Sequence, residues 1–156
     1  MPHSEYRMMI KGEIYSMLMD AMSGYSSTHI HLGSSPVGAP LPHVVFKVNE
    51  SMYEDGSSMN VYPDSYPRQF DIEIEIREEL FDGVDYKLDD MCLAVERSMS
   101  AWESFPRDVQ NTNTYFDNLI LLSTEYEMSG DGERGYGVAT LYYQGVDLSG
   151  TLKNYN

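Results

Sequence analysis

A single cysteine, Cys92, rules out any disulfide within the chain and fits a reducing compartment. Basic residues are also scarce. Ten Lys and Arg stand against 25 Asp and Glu, a formal net charge of −15 with a pI near 4.4. Nucleic-acid binding draws most of its free energy from cations that neutralise phosphates, so the shortage argues against a DNA or RNA reader. It is compatible with a protein that stands beside DNA without sticking to it, because like charges repel. No apolar run approaches the roughly 20 residues of a membrane-spanning helix, so no membrane role is expected. The first eleven residues are polar and charged, unlike a secretory signal. Neither an internal repeat nor a composition break divides the 156 residues, which read as one domain, 1–156.

Hydrophobic periodicity gives the elements. Over residues 4–22, Tyr6, Ile10, Ile14, Met17, Leu18 and Ala21 fall on one helical face, with Ser4 as N-cap and Gly24 at the C-cap. Residues 23–42 are rich in Gly, Ser and Pro and read as loop. A β-branched strand follows at 43–48, then a polar, acidic loop at 49–68 broken by Pro63 and Pro67. Phe70, Ile72, Ile74 and Ile76 alternate with Asp71, Glu73, Glu75 and Arg77, the signature of a strand with one buried and one charged face. A second helix at 86–102 places Leu88, Met91, Cys92, Val95, Met99 and Trp102 on one stripe. Asp85, Asp89 and Asp90 suit the positive end of its dipole. Strands at 119–128 and 136–144 complete the chain, with 146–156 as a tail. The order α-β-β-α-β-β predicts an α+β fold, an antiparallel or mixed sheet with helices on one face.

Candidate chemistry is thin. Gly130, Gly132 and Gly135 spell G-x-G-x-x-G, but that fingerprint needs a helix after it, and residues 138–143 read as a strand. A hairpin turn explains the same letters. His29 and His31 are two apart, so in an extended segment both rings point one way. A metal would need a third ligand from His43, His3 or a distant carboxylate, and the residues leave that open. Cys92 lies on an apolar stripe and reads as an inert core thiol. Glu73 and Glu75 share a face, yet a charged row on a half-exposed strand is more often solvated than catalytic. No enzyme activity and no cofactor are expected. What is abundant is Tyr, with 13, and Met, with 11, both enriched at protein contacts. Met52, Tyr53, Tyr62 and Tyr66, placed in the 49–68 loop, are the candidate subunit or partner contacts.

Several segments share an order and texture. A helix opens with Glu5-Tyr6-Arg7, and a strand follows Pro42-His43-Val44-Val45. After a long loop comes the alternating strand from Arg68 through Ile76, then a helix. A hairpin closes the chain, with Tyr126 on one arm and Ala139-Thr140-Leu141-Tyr142-Tyr143 on the other. Over most of its length the chain resembles the minor tail protein U family, the tail terminators of long-tailed bacteriophages. The segment at 23–41 and the tail after 146 are longer than that family's compact members need. The resemblance implies a homo-oligomeric ring, usually a hexamer, at the head-proximal end of the virion tail, assembled in the host cytoplasm. Its partners would be the tail tube protein and the head completion or connector protein, and double-stranded DNA would pass through it unbound. Asp71, Glu73 and Glu75, or Asp131 and Glu133 in the hairpin turn, are then candidates for an acidic lumen. The alternatives are another neck or tail-completion subunit, or a small acidic binding module.

Overall fold

The alternating run at Phe70 becomes the centre of a five-stranded sheet. The computed structural model describes residues 2–25, 28–52, 68–79, 83–104, 118–129 and 135–147. In chain order these form α1 (Pro2–Ala21) with a 3-10 turn at Met22–Gly24, β1 (His29–Leu32), β2 (His43–Met52), β3 (Arg68–Glu79), α2 (Val84–Ser104), β4 (Asn118–Ser129) and β5 (Tyr136–Asp147). The sheet order is β1-β2-β3-β5-β4. β1 runs parallel to β2, and the pairs β2–β3, β3–β5 and β5–β4 are antiparallel. The fold is α+β with a mixed sheet, as the element pattern implies.

One face of the sheet is the core. Phe70, Ile72, Ile74 and Ile76 of β3 join Val44 and Phe46 of β2 and Ala139, Leu141 and Tyr143 of β5 in one buried cluster. Ile10, Ile14 and Leu18 of α1 and Leu88, Met91, Cys92, Val95 and Met99 of α2 cover that face. Spacings of three and four bring each helix's set into a single stripe, which is why both helices dock on the same side. The side chains of Tyr6 and Trp102 lie outside the described residues. Gly83, at φ 94°, turns the chain into α2, and its carbonyl accepts from the Tyr86 and Lys87 amides. Gly137 of β5 allows close approach: a Cβ there would stand 3.0 Å from Leu88 Cδ1 and 3.2 Å from Met128 Sδ.

Most element ends lie within two residues of the sequence reading, and three larger differences stand out. The segment 23–42, read as loop, contains β1. His29–Leu32 alternates over only four residues, too short to stand out among Gly, Ser and Pro, and it owes its form to ladder bonds with β2. Gly33, at φ 87°, ends it, donating its N–H to the Phe46 carbonyl. The 49–68 loop begins later than expected, because β2 continues to Met52, which pairs with Arg68. Polar residues extend the strand once a partner offers hydrogen bonds. Likewise Val146 and Asp147, placed in a tail, pair with Gln69 and Arg68 as the end of β5.

Candidate functional site

The face opposite the helices carries the charged residues, and cross-strand register sets their neighbours. Asp71, Glu73 and Glu75 all lie on it, two residues apart on β3. They do not form a bare acidic row. Lys47 of β2, the register partner of Glu73, approaches it to 3.9 Å. Glu75 accepts from Arg77 at 2.9 Å, and Asp71 accepts from the Gln69 amide at 3.1 Å. Tyr142 of β5, opposite Glu73, stands between Glu73 and Glu125 of β4, where its one hydroxyl proton can be donated to either carboxylate. Burial and these two carboxylates push its hydroxyl pKa up. A polar ladder thus crosses four strands from Lys47 to Glu125. Glu79 and Glu127 add further acid to this face, so its balance stays negative.

Sequence alone pointed to the acids but not to their partners, since Lys47 is 26 positions from Glu73 and meets it only through register. Met52 is the last residue of β2, and its side chain lies outside the described residues. Tyr53, Tyr62, Tyr66, Asp131 and Glu133 lie outside the described residues altogether. The glycine fingerprint has a strand, β5, after Gly135 where a dinucleotide site needs a helix.

Among the described residues, β4 forms one edge of the sheet and is paired on one side only, by β5. Its apolar residues are exposed: Leu122 is 58% accessible, and Ile120, Tyr126 and Met128 are each above two fifths. The register shifts at Leu122, between Leu121 and Ser123, marking a bulge of the kind common on edge strands. On the core side of this edge, Tyr126 hydrogen-bonds Asp89 and Cys92 of α2, tying strand to helix. Exposed Leu93 and Tyr86 belong to the same helix. The signal for this surface was present in Leu119-Ile120-Leu121-Leu122, an unbroken apolar run where a half-exposed strand would alternate. Cys92 is buried, and burial pushes its thiol pKa up to about 11, so it reads as inert.

At the opposite edge, register brings three histidines to the outer face. His29 is the Cα partner of His43, and His31 follows two residues later on β1. The rings of His31 and His43 are 5.5 Å apart, edge to face, and those of His29 and His31 are 6.5 Å apart. His43 is buried and donates from Nδ1 to the Pro40 carbonyl at 3.0 Å. Burial pushes its pKa down, and Arg77 and His31 push the same way. Among the described residues, no three His, Cys, Asp or Glu side chains are gathered around one point.

A shallow cleft of about 240 Å³ lies where α1 crosses the sheet, lined by Ile10, Lys11, Val48, Glu50 and Phe70. Its lining is mixed, with the charged Lys11 and Glu50 beside the apolar Ile10, Val48 and Phe70. No helix among the described residues is long and apolar enough to cross a membrane. No protein-family model matches the chain, and no curated protein matches it.

Proposed function

We propose that the protein is a structural subunit that assembles with copies of itself into a ring, as tail terminators do on a bacteriophage tail tube. In that role the ring stops tube growth and offers a surface to the head connector. The observation that carries self-assembly is the β4 edge, twelve residues long, with exposed Ile120, Leu122, Tyr126 and Met128. An unpaired edge is a template for another chain, and apolar side chains along it make its solvation costly. The terminator reading within that class rests on the element order and the segments that resemble minor tail protein U. The acidic balance of the outer face supports a wall past which DNA moves without binding. A different neck or tail-completion subunit would share these features, whereas a small acidic binding module would stay monomeric or dimeric.

Sedimentation velocity and native mass measurement, alone and with purified tail tubes, test the proposal. The expected result is a ring of about six copies of the 17.8 kDa chain, seen at tube ends by electron microscopy. A chain that stays monomeric at high concentration and ignores tube ends sinks it.

A further inference from the structure

We infer that His31 and His43, with His29 as a third ligand, form a binding site for one divalent transition-metal ion at the β1–β2 edge. This is independent of the assembly reading. The first support is placement: all three imidazoles project from the same face of two adjacent strands. The second is spacing. Two imidazoles that share a tetrahedral ion at about 2.0–2.1 Å from each nitrogen have ring centres roughly 5 Å apart. His31 and His43 stand at 5.5 Å. The third is what their nitrogens lack. Nε2 of both rings is buried without a hydrogen-bond partner among the described residues. A buried polar atom left in that condition is uncommon and calls for a ligand or a bridging group.

The orientation of His43 adds a fourth argument. Its Nδ1–H is engaged by the Pro40 carbonyl at 3.0 Å, which leaves the lone pair on Nε2. Ligand histidines are commonly fixed in this way, the far nitrogen donating to a carbonyl while the near one faces the ion. His43 is 4% exposed, so its ring is held by its surroundings. His29 is exposed, with its ring 6.5 Å from His31 on the same face, so burial does not fix its rotamer and this third ligand is the one that must move to reach the ion. Neutral imidazoles select zinc, nickel, copper and cobalt over calcium and magnesium, which prefer oxygen. The neighbouring cation, Arg77, is paired with Glu75 and lies 5.6 Å from the Tyr136 ring centre. Its charge is therefore partly balanced. An ion held there would tie the four-residue β1 to β2 by side chains as well as by backbone.

The test uses the full chain without an affinity tag, treated with chelator and titrated with ZnCl2 by calorimetry. One ion per chain at micromolar affinity or tighter is expected, with no response to MgCl2. CoCl2 should give the visible absorption of a nitrogen-ligated ion. His31→Asn should weaken zinc binding at least tenfold, and His29→Asn several-fold. Both positions are partly or fully exposed, so both variants should fold. Ring-nitrogen NMR of the parent supplies a check that needs no variant: Nε2 of His31 and His43 should shift on zinc addition, and His3 should not. No binding, binding unchanged in both variants, or shifts confined to other residues would each overturn the site.

Discussion

Glu78 and Lys87 meet where the end of β3 passes under the start of α2. Glu78 is 4% exposed, forms an ion pair with Lys87, and accepts from the Glu79 amide at 2.8 Å. Taking away one partner of a buried pair strands the other charge, at a cost of about 3–5 kcal/mol when both are deeply buried. Lys87 is about a third exposed, so water partly compensates. Lys87→Met should therefore lower unfolding free energy by about 2 kcal/mol at neutral pH, read from urea denaturation. Adding Glu78→Gln should recover part of that loss, whereas strictly additive costs would mean the two groups are not coupled. Gly137 tests packing instead. Gly137→Val would press branches against Leu88 and Met128, and a cost of about 1–3 kcal/mol is expected. A neutral substitution would show that α2 does not sit where its Val84 and Leu88 contacts place it. Cys92 should label slowly with a thiol reagent in the native protein and fully after denaturation, given its burial and raised pKa.

Among the elements, β3 and β4 play opposite parts. β3 is the central strand, paired on both sides, and Ile74 is wholly buried between the sheet and the helices. Ile74→Asp places an unpaired carboxylate there and should cost several kcal/mol, on the order of 3–5. A melting temperature within a degree or two of the parent would refute that assignment. β4 buries Leu119 in the core but exposes Ile120 and Leu122. Ile120→Lys together with Leu122→Lys should change the stability of the subunit by no more than about 0.5 kcal/mol per site, as exposed positions usually do. The same pair should abolish rings or shift their formation to at least tenfold higher concentration. Assembly that proceeds unaltered would move the subunit contact to another surface, such as the exposed Tyr15 and Met19 of α1.

At the scale of the whole molecule, the −15 charge is distributed so that the outer sheet face keeps an acidic surplus after Lys47 and Arg77 are counted. In a ring whose lumen is this face, passing phosphates would be repelled. Asp71→Lys with Glu73→Lys and Glu75→Lys reverses the face. Reversed rings should gain DNA binding that weakens steeply with salt, and DNA release should slow. The reversal also breaks the Lys47–Glu73 and Arg77–Glu75 pairs, so the neutral set Asp71→Asn, Glu73→Gln and Glu75→Gln serves as control. If neither set alters DNA retention while rings form normally, the face points away from the channel.

Local pattern determined much of this fold before any contact was known. The alternation around Ile74 fixed a strand with one buried face, and the stripes of Ile10, Ile14 and Leu18 and of Leu88, Met91 and Val95 fixed two helices. Those patterns are properties of a segment alone, because side-chain direction repeats with the backbone period. The tertiary structure decided what lies beside each residue. Four residues amid Gly, Ser and Pro became β1 because β2 offered them a parallel ladder. His43 came next to His31, Lys47 opposite Glu73, and Lys87 onto Glu78, none of them sequence neighbours. Strand register and helix docking are collective choices of the whole core, and a register shift of one residue would send each of these strand side chains to the other face.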